Sequence, residues 1–385
     1  MSDQHQQSAP PAPSGPAARR SSGRVSARLP DFPWDSLADA RERAGSHPDG
    51  IVDLSIGTPV DPTPPLVRDA LAAHADAPGY PTTIGLPALR EAATGWLHRR
   101  FGVKGLGIEH VLPVIGTKEL IAGLCVQLGI GPGQSVVIPE LAYPTYEVGA
   151  RLSGADVVVS DSTSTLGPQA PALMWVNSPS NPTGRVLPAR HLAKVVSWGR
   201  ERGTLIASDE CYLECGWEGE APMSVLHPSV TGGSFAGVLS VQSLSKRSNL
   251  AGYRCGLVVG DADLVAELVA VRKNLGLQVP APQQRAMIAA LDDDAHVDAQ
   301  RERYAQRRSA LIPAVQAAGL RVEHSQGALY LWATRDEPCR DTVGWFAERG
   351  ILVAPGDFYG RAGARHVRIA LTATDERVAA AVSRL

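Results

Sequence analysis

Six short apolar runs, most of them rich in β-branched residues, punctuate the chain between residues 110 and 243: HVLPVIG, QSVVIPE, ADVVVS, ALMWVN, TLIASDE and GVLSVQS. Each is bounded by turn residues. Segments of helical period precede or separate them, among them LVRDALAAHADA, LPALREAATGWLHRRF and the stretches 118–128 and 189–202. A strand without a polar face must be covered on both sides, and parallel neighbours need a long crossover between them. The pattern therefore predicts an α/β fold in which helices sandwich a mostly parallel sheet. In such a sheet, ligands bind outside the carboxyl ends of the strands, so the residues just past each run carry the functional question.

After about residue 275 the pattern changes. A long helical stretch over 295–318, the short strands ALYLWA, ILVAP and HVRIAL, and a final helix DERVAAAVSRL predict a smaller α+β domain. Residues 57–275 are expected to form the large domain and 276–385 the small one. The segment 28–56, containing FPWDSLADARERAG, is expected to pack with the small domain. Residues 1–27 are rich in Pro, Ser, Ala and Gln, cannot bury enough apolar surface to fold, and are expected to be a disordered tail. They show no apolar core of a secretory signal, and no stretch of the chain is long and apolar enough to span a bilayer, so the expected location is the cytoplasm. A net charge of −2 gives no field that would draw the chain to nucleic acid or an anionic membrane. The five cysteines, an odd number, are expected to be reduced thiols. Cys211 and Cys215 lack a second Cys or His pair, so no metal is expected there and both read as small buried side chains.

Four segments follow strand candidates. IGTKE (115–119) opens a helix, and its Gly116, Thr117 and Lys118 offer free N–H groups and a hydroxyl to an anion; Thr117 as a simple helix cap is the ordinary alternative. NSPSNPTG (177–184) makes a rigid loop in which Asn181 could hold a ligand oxygen, or which could be only a turn. SDECY (208–212) leaves Asp209 where a strand quits the core. A carboxylate there needs a cation or strong donors, and a protonated ring nitrogen would serve as well as an arginine or a helix end. Tyr212, three residues on, could reach a neighbouring phenolic oxygen. The fourth is SLSKRSNLAGYRCG (243–256), which holds one of only five lysines. Partly desolvated at the end of a strand, Lys246 would become a competent nucleophile for an aldehyde, whereas an exposed lysine is the commoner case. Ser243 and Arg254 add an alcohol and a guanidinium suited to a phosphate dianion. Together the four segments supply an aldehyde trap, a carboxylate for a pyridinium, an amide and a phenol for a ring hydroxyl, and a phosphate cradle. That set describes pyridoxal 5′-phosphate.

From about residue 30 to 385 the chain resembles the class I/II aminotransferases, the fold-type I pyridoxal-phosphate enzymes, with the motifs in the family's order. The resemblance implies that Lys246 binds the cofactor's aldehyde carbon and then carries the proton between the substrate α-carbon and the cofactor. Asp209 would keep the ring nitrogen protonated, and Asn181 and Tyr212 would bond the ring oxygen. Ser243, Arg254 and Gly116–Thr117–Lys118 would hold the phosphate, although Lys118 reads equally as a solvated first-turn lysine. Tyr143, in LAYPTYEVGA, matches the aromatic that stacks on the ring, with a core tyrosine as the alternative. Arg368, in HVRIAL, would clamp the substrate α-carboxylate near Gly57 and Asn181, and APGDFYG (354–360) would shape the small-domain side of the pocket. Tyr80 would reach the phosphate of a neighbouring subunit, which implies a homodimer with shared active sites. PELAYPTYEVGARLSGADVV, QSLSKRSNLAGYRCG and LVAPGDFYGRAGARHVRIALTATDERV further resemble actinobacterial N-succinyldiaminopimelate aminotransferases of lysine and diaminopimelate biosynthesis. The reaction implied exchanges an amino group between glutamate and N-succinyl-2-amino-6-oxopimelate. No residue is singled out to read the succinyl group; Arg272 and Lys273 stand near a plausible pocket edge or on a solvated helix end. Rival readings are an aminotransferase for another amino acid/2-oxoglutarate pair, or a pyridoxal-phosphate C–S β-lyase on the same scaffold. A transcription regulator would need a DNA-binding domain that the first 30 residues are too short to form. A dinucleotide enzyme is disfavoured because GIGPGQ lacks the G-x-G-x-x-G spacing.

Overall fold

The computed structural model describes residues 24–385 apart from residue 169. Most of the expected tail therefore lies outside the described residues; Val25–Arg28 form a single 3-10 turn. After Val52–Asp53 (β1) come the strands of the main sheet: Val111–Ile115 (β2), Ser135–Ile138 (β3), Asp156–Val159 (β4), Leu173–Asn177 (β5), Leu205–Asp209 (β6), Val238–Ser243 (β7) and Cys255–Gly260 (β8). Their spatial order is β2-β8-β7-β6-β5-β3-β4. Neighbours pair in parallel except where β8 meets β2 and β7, and there the pairing is antiparallel. Six of these seven strands are the runs singled out from sequence. The seventh, β8, has a short apolar run flanked by Gly256 and Gly260, residues depleted in strands. Pro113 sits in β2, where the sheet ends, since a central strand would lose a ladder bond to it.

Helices cover both faces, as strands with no polar side require. On one face Leu120, Ile121 and Leu124 of helix Thr117–Gln127, and Val265 and Leu268 of Ala262–Leu275, bury Val114, Val241 and Val258. On the other, Leu89 and Trp96 of Pro87–Phe101 and Leu192 and Val196 of Ala189–Arg202 pack on Val238, Leu257 and Val259. Helix Ala281–Asp292 adds Met287, Ala290 and Leu291 to this second layer. It thus joins the main sheet, although the change of pattern near residue 275 suggests otherwise.

The C-terminal part builds a separate antiparallel sheet from Arg321–Glu323 (β9), Tyr330–Thr334 (β10), Ala354–Pro355 (β12) and Val367–Ala370 (β13), in the order β12-β13-β10-β9. The short strand Ile351–Leu352 (β11) pairs in parallel with β1. Leu37, Val52 and Leu54 share one core with Leu331, Phe346, Ile369 and Val378, so the N-terminal segment lies against this sheet. Among the described residues no helix is long and apolar enough to cross a membrane.

Candidate active site

The parallel strands deliver their carboxyl ends to one edge of the main sheet. Gly116 follows β2, the 177–184 loop follows β5, Asp209 ends β6, and Ser243 ends β7. Because β8 runs the opposite way, its beginning lies at that same edge, and Arg254 immediately precedes it. Strand direction is what brings Arg254 to residues that follow the other strands. A cavity of about 850 Å3 opens there, lined by Gly57, Thr117, Lys118, Tyr143, Asn181, Asp209, Tyr212, Ser243, Lys246, Arg254 and Arg368. Eleven of the thirteen residues singled out from sequence thus meet in one place.

Asp209 is buried, and its hydrogen-bond partners are neutral: the Tyr146 hydroxyl donates to Oδ2 at 2.8 Å and the Cys211 N–H to Oδ1 at 3.1 Å. Burial raises its pKa, and these two donors pull it back in part. A buried carboxylate held only by neutral donors is costly and calls for a cation. Tyr146 is itself stacked on Trp175 at 4.8 Å. Sequence reasoning misses it, because LAYPTYEVGA offers two tyrosines and only Tyr143 matches the family's stacking aromatic. Tyr143 lies half-buried at the cavity wall, its ring edge-on to Tyr146 at 5.7 Å, and burial pushes its phenol up to about 12.

The two asparagines of NSPSNPTG divide their tasks. Asn177 is structural: its amide donates to the Asp209 carbonyl at 2.9 Å, and its Oδ1 accepts the Asn181 N–H at 2.7 Å. Asn181 Oδ1 is thereby aimed at Arg368, whose Nη1 donates to it at 2.8 Å while Nη2 donates to the Ser55 carbonyl at 2.7 Å. The guanidinium lies 4.0 Å from the Tyr330 ring centre and 5.0 Å from that of Tyr359. Arg368 is buried, and its Nε has no partner. A buried guanidinium with an unpartnered donor, on a residue that lines a cavity, suits a carboxylate.

Lys246 Nζ donates to the Gly57 carbonyl. Gly57 is required by close approach: a Cβ there would collide with the Tyr330 hydroxyl and lie 2.7 Å from that ring's Cζ. Tyr330 is a second residue that sequence reasoning misses, since ALYLWA looks like strand and nothing more. Its hydroxyl pairs with that of Tyr212 at 2.6 Å.

At the other end of the cavity, Gly116 caps helix Thr117–Gln127 with φ +77. A Cβ on Gly116 would collide with Arg254 Nη2 and stand 2.6 Å from Cζ. The guanidinium therefore lies against the helix N-terminus, where free N–H groups and positive charge converge on any anion. Ser243 Oγ accepts the Ser245 N–H at 3.1 Å and lines the same end. Lys118 is exposed at the mouth, its ammonium 5.4 Å above the Phe32 ring.

Tyr80, expected to serve a neighbouring subunit, does not line this cavity and is 98% exposed on the loop before helix Pro87–Phe101. Two expectations need correction. Arg272 is at no pocket edge: it is fully buried, with both Nη atoms on Glu119 at 2.9 and 2.8 Å, and only Lys273 is exposed. Cys215 is buried, but Cys211 lines the cavity, with Sγ 3.4 Å from Thr117 Oγ1. The segment 28–56 supplies a wall of the cavity through Leu29–Trp34. Its proline-rich composition gives no sign of that role.

A half-buried lysine, a buried carboxylate awaiting a cation, and a guanidinium packed at a helix N-terminus define an enzyme that binds a phosphorylated pyridine aldehyde and works on carboxylate substrates. The family profile described as aminotransferase class I and II matches residues 49–385, and the chain belongs to that family. It is 65% identical over 363 residues to a probable aminotransferase of Mycobacterium tuberculosis, covering 94% of this chain and 87% of that one. It is 57% identical over 357 residues to the 4-dedimethylamino-4-oxo-anhydrotetracycline transaminase of Streptomyces rimosus, covering 93% and 99%. Among solved structures, an aminotransferase from Neisseria meningitidis superposes with a TM-score of 0.83 at 32% identity, covering 94% and 97%. The protein is a fold-type I aminotransferase and its cofactor is pyridoxal 5′-phosphate.

Proposed function

We propose that this aminotransferase exchanges an amino group between glutamate and N-succinyl-2-amino-6-oxopimelate. The observation that carries the reading is the buried Arg368 guanidinium with its Nε unpartnered, in one cavity with Lys246 and with the exposed Lys118 at the mouth. The proposed substrate has an α-carboxylate at the reacting end for Arg368 and two further carboxylates at the far end. Lys118 is the cation placed to meet these.

Pyridoxal phosphate supplies an aldehyde that takes up the amino group and a ring that accepts the electron pair released at the substrate α-carbon. Lys246 Nζ would hold the aldehyde carbon and move the proton at the substrate α-carbon. Asp209 would keep the ring nitrogen protonated, with Tyr146 orienting the carboxylate. Asn181 and Tyr212 would bond the ring oxygen, and Tyr143 would pack against the ring. Arg254, Ser243 and the N–H groups of Gly116–Thr117–Lys118 would hold the phosphate. Gly57 lets the chain pass close to the substrate carboxylate. Tyr80, too exposed to serve its own site, would complete the phosphate cradle of a second subunit in a homodimer.

A second reading is amino transfer to a bulky polycyclic ketone. The 57% identity to the tetracycline transaminase favours it, and so do the apolar walls made by Phe32, Pro33, Trp34 and Val148. The test is the visible band of the purified holoenzyme, recorded on addition of N-succinyl-LL-diaminopimelate without any oxo acid. Bleaching by that compound supports the first reading. Bleaching by glutamate alone refutes it in favour of another partner, and turnover of an oxo-tetracycline would name that partner. Pyruvate and ammonia released from a cysteine thioether would instead mark a C–S lyase.

A further inference from the structure

We propose that Tyr330 is a positioning residue that couples the substrate-carboxylate site to the protonation of the cofactor, acting through the hydroxyl of Tyr212. The inference rests on the assignment of Tyr212 to the cofactor's ring oxygen made above.

Three contacts converge on this side chain. Its hydroxyl is 2.6 Å from that of Tyr212, with the rings edge-to-face at 5.5 Å between centres. Its ring face carries the Arg368 guanidinium at 4.0 Å. Its hydroxyl also lies beneath Gly57, where even a methyl group would collide with it. Both tyrosines are buried, and both line the cavity. Strand pairing holds the geometry: Tyr330 opens β10, and Trp332, two residues on, pairs with Arg368 of β13. Tyr212 comes from the other part of the molecule, three residues beyond β6. The pair therefore bridges the main sheet and the C-terminal sheet at the site itself.

Two hydroxyls facing each other have one hydrogen between them, so one donates and the other accepts. If Tyr212 is to donate to the cofactor's ring oxygen, Tyr330 must be the donor within the pair. An oxygen that accepts a hydrogen bond becomes a better donor, because chains of such bonds polarise one another. Tyr330 thus strengthens the bond from Tyr212 to the anionic form of the ring oxygen and favours that form. The guanidinium on the Tyr330 ring polarises the same phenol in the same direction. A substrate carboxylate bound to Arg368 offsets that charge and weakens the donation. Carboxylate binding would then be felt at the ring oxygen through one side chain, beside the direct Arg368–Asn181 bond.

The test is a pH titration of the visible band of the holoenzyme, comparing wild type, Tyr330→Phe, Tyr212→Phe and the double variant. Tyr330→Phe keeps the ring on Arg368 and deletes only the hydroxyl, so it should raise the midpoint by roughly half to one unit, the worth of one hydrogen bond. In the Tyr212→Phe background the same change should shift the midpoint no further. A purely structural role would not show that dependence. Should Tyr330→Phe fail to load cofactor, Tyr330→His, which keeps a ring and a donor, is expected to titrate closer to wild type than Tyr330→Leu. An unchanged midpoint in Tyr330→Phe, or a shift that persists without the Tyr212 hydroxyl, overturns the coupling while leaving the aminotransferase reading intact. Absence of any titrating band in wild type would overturn both.

Discussion

Replacing Gly116 by alanine tests the phosphate end of the site most directly, because one methyl group there faces two separate costs. The backbone at Gly116 has φ +77 and ψ 149, close to a region that is nearly glycine's alone and costs an L-residue ~1–3 kcal/mol. The new Cβ would also drive Arg254 from its place against the helix N-terminus, since it would stand 2.6 Å from Cζ. If Arg254 makes a charge-assisted bond to the phosphate, its displacement removes about 1.5–3 kcal/mol of cofactor binding. At 1.4 kcal/mol per tenfold, the dissociation constant for pyridoxal phosphate should rise roughly 10- to 150-fold. Gly129→Ala separates the two costs, for Gly129 has φ +67 and no atom stands within 4 Å of where its Cβ would lie. It should lose stability on denaturant unfolding yet bind cofactor as wild type does. Affinity is read by fluorescence quenching on titration with pyridoxal phosphate and, separately, with pyridoxal. Pyridoxal has no phosphate, so Gly116→Ala should leave its affinity unchanged. Equal affinities of Gly116→Ala and Gly129→Ala for pyridoxal phosphate would refute the argument, by showing that Arg254 holds no phosphate or yields its place without cost.

Other consequences can be checked in the same preparations. Arg368→Lys keeps the charge but loses the planar fork, and kcat/KM for glutamate should fall roughly 10- to 150-fold with the cofactor still bound; an unaltered kcat/KM would remove Arg368 from the carboxylate site. Arg272→Met strands Glu119, whose carboxylate is only partly exposed, and should cost toward the lower end of ~3–5 kcal/mol in urea unfolding; a loss below about 1 kcal/mol would show that water replaces the pair readily. A buried acid and a half-buried one should tilt the stability of the cofactor-free protein in opposite senses. Burial raises Asp209, so its contribution is complete below the ordinary aspartate value of about 3.9 and is lost as pH rises through the folded value. At Asp61 burial is the largest influence and acts upward, but hydrogen bonds from Arg307 and Gln300 prevail and hold it low. Its contribution is therefore complete above about pH 3.9 and is lost as pH falls through the folded value. Asp209→Asn should flatten the first slope and Asp61→Asn the second, and either variant retaining its slope in urea titrations across pH would contradict the assignment.

The site was legible where one residue type served one purpose close to its own strand. Lys246, Asp209 and Asn181 each stand within a few residues of a strand end, and the edge-to-ligand rule for α/β sheets converts that position into a place at the site. Where two candidates shared a segment, sequence could not choose. Tyr143 and Tyr146 both lie in YPTY, and only packing against Trp175 turns the second toward Asp209. Cys211 and Cys215 likewise differ in orientation alone, one facing the cavity and the other the core.

What the sequence determined by itself was the kind of fold and the chemical inventory. Burial on both strand faces, turn residues and helical period are properties of short windows, so each can be recognised without knowing its neighbours in space. Tertiary structure decided which members of that inventory touch. The antiparallel course of β8 carries Arg254 to Gly116, and the β10–β13 pairing sets Tyr330 under Arg368 and against Tyr212. The Leu29–Trp34 segment lines a cavity whose other walls range along the chain from Ile56 to Arg368. These contacts depend on strand order and direction, which arise from the packing of the whole core and leave no trace in the spacing of any one segment.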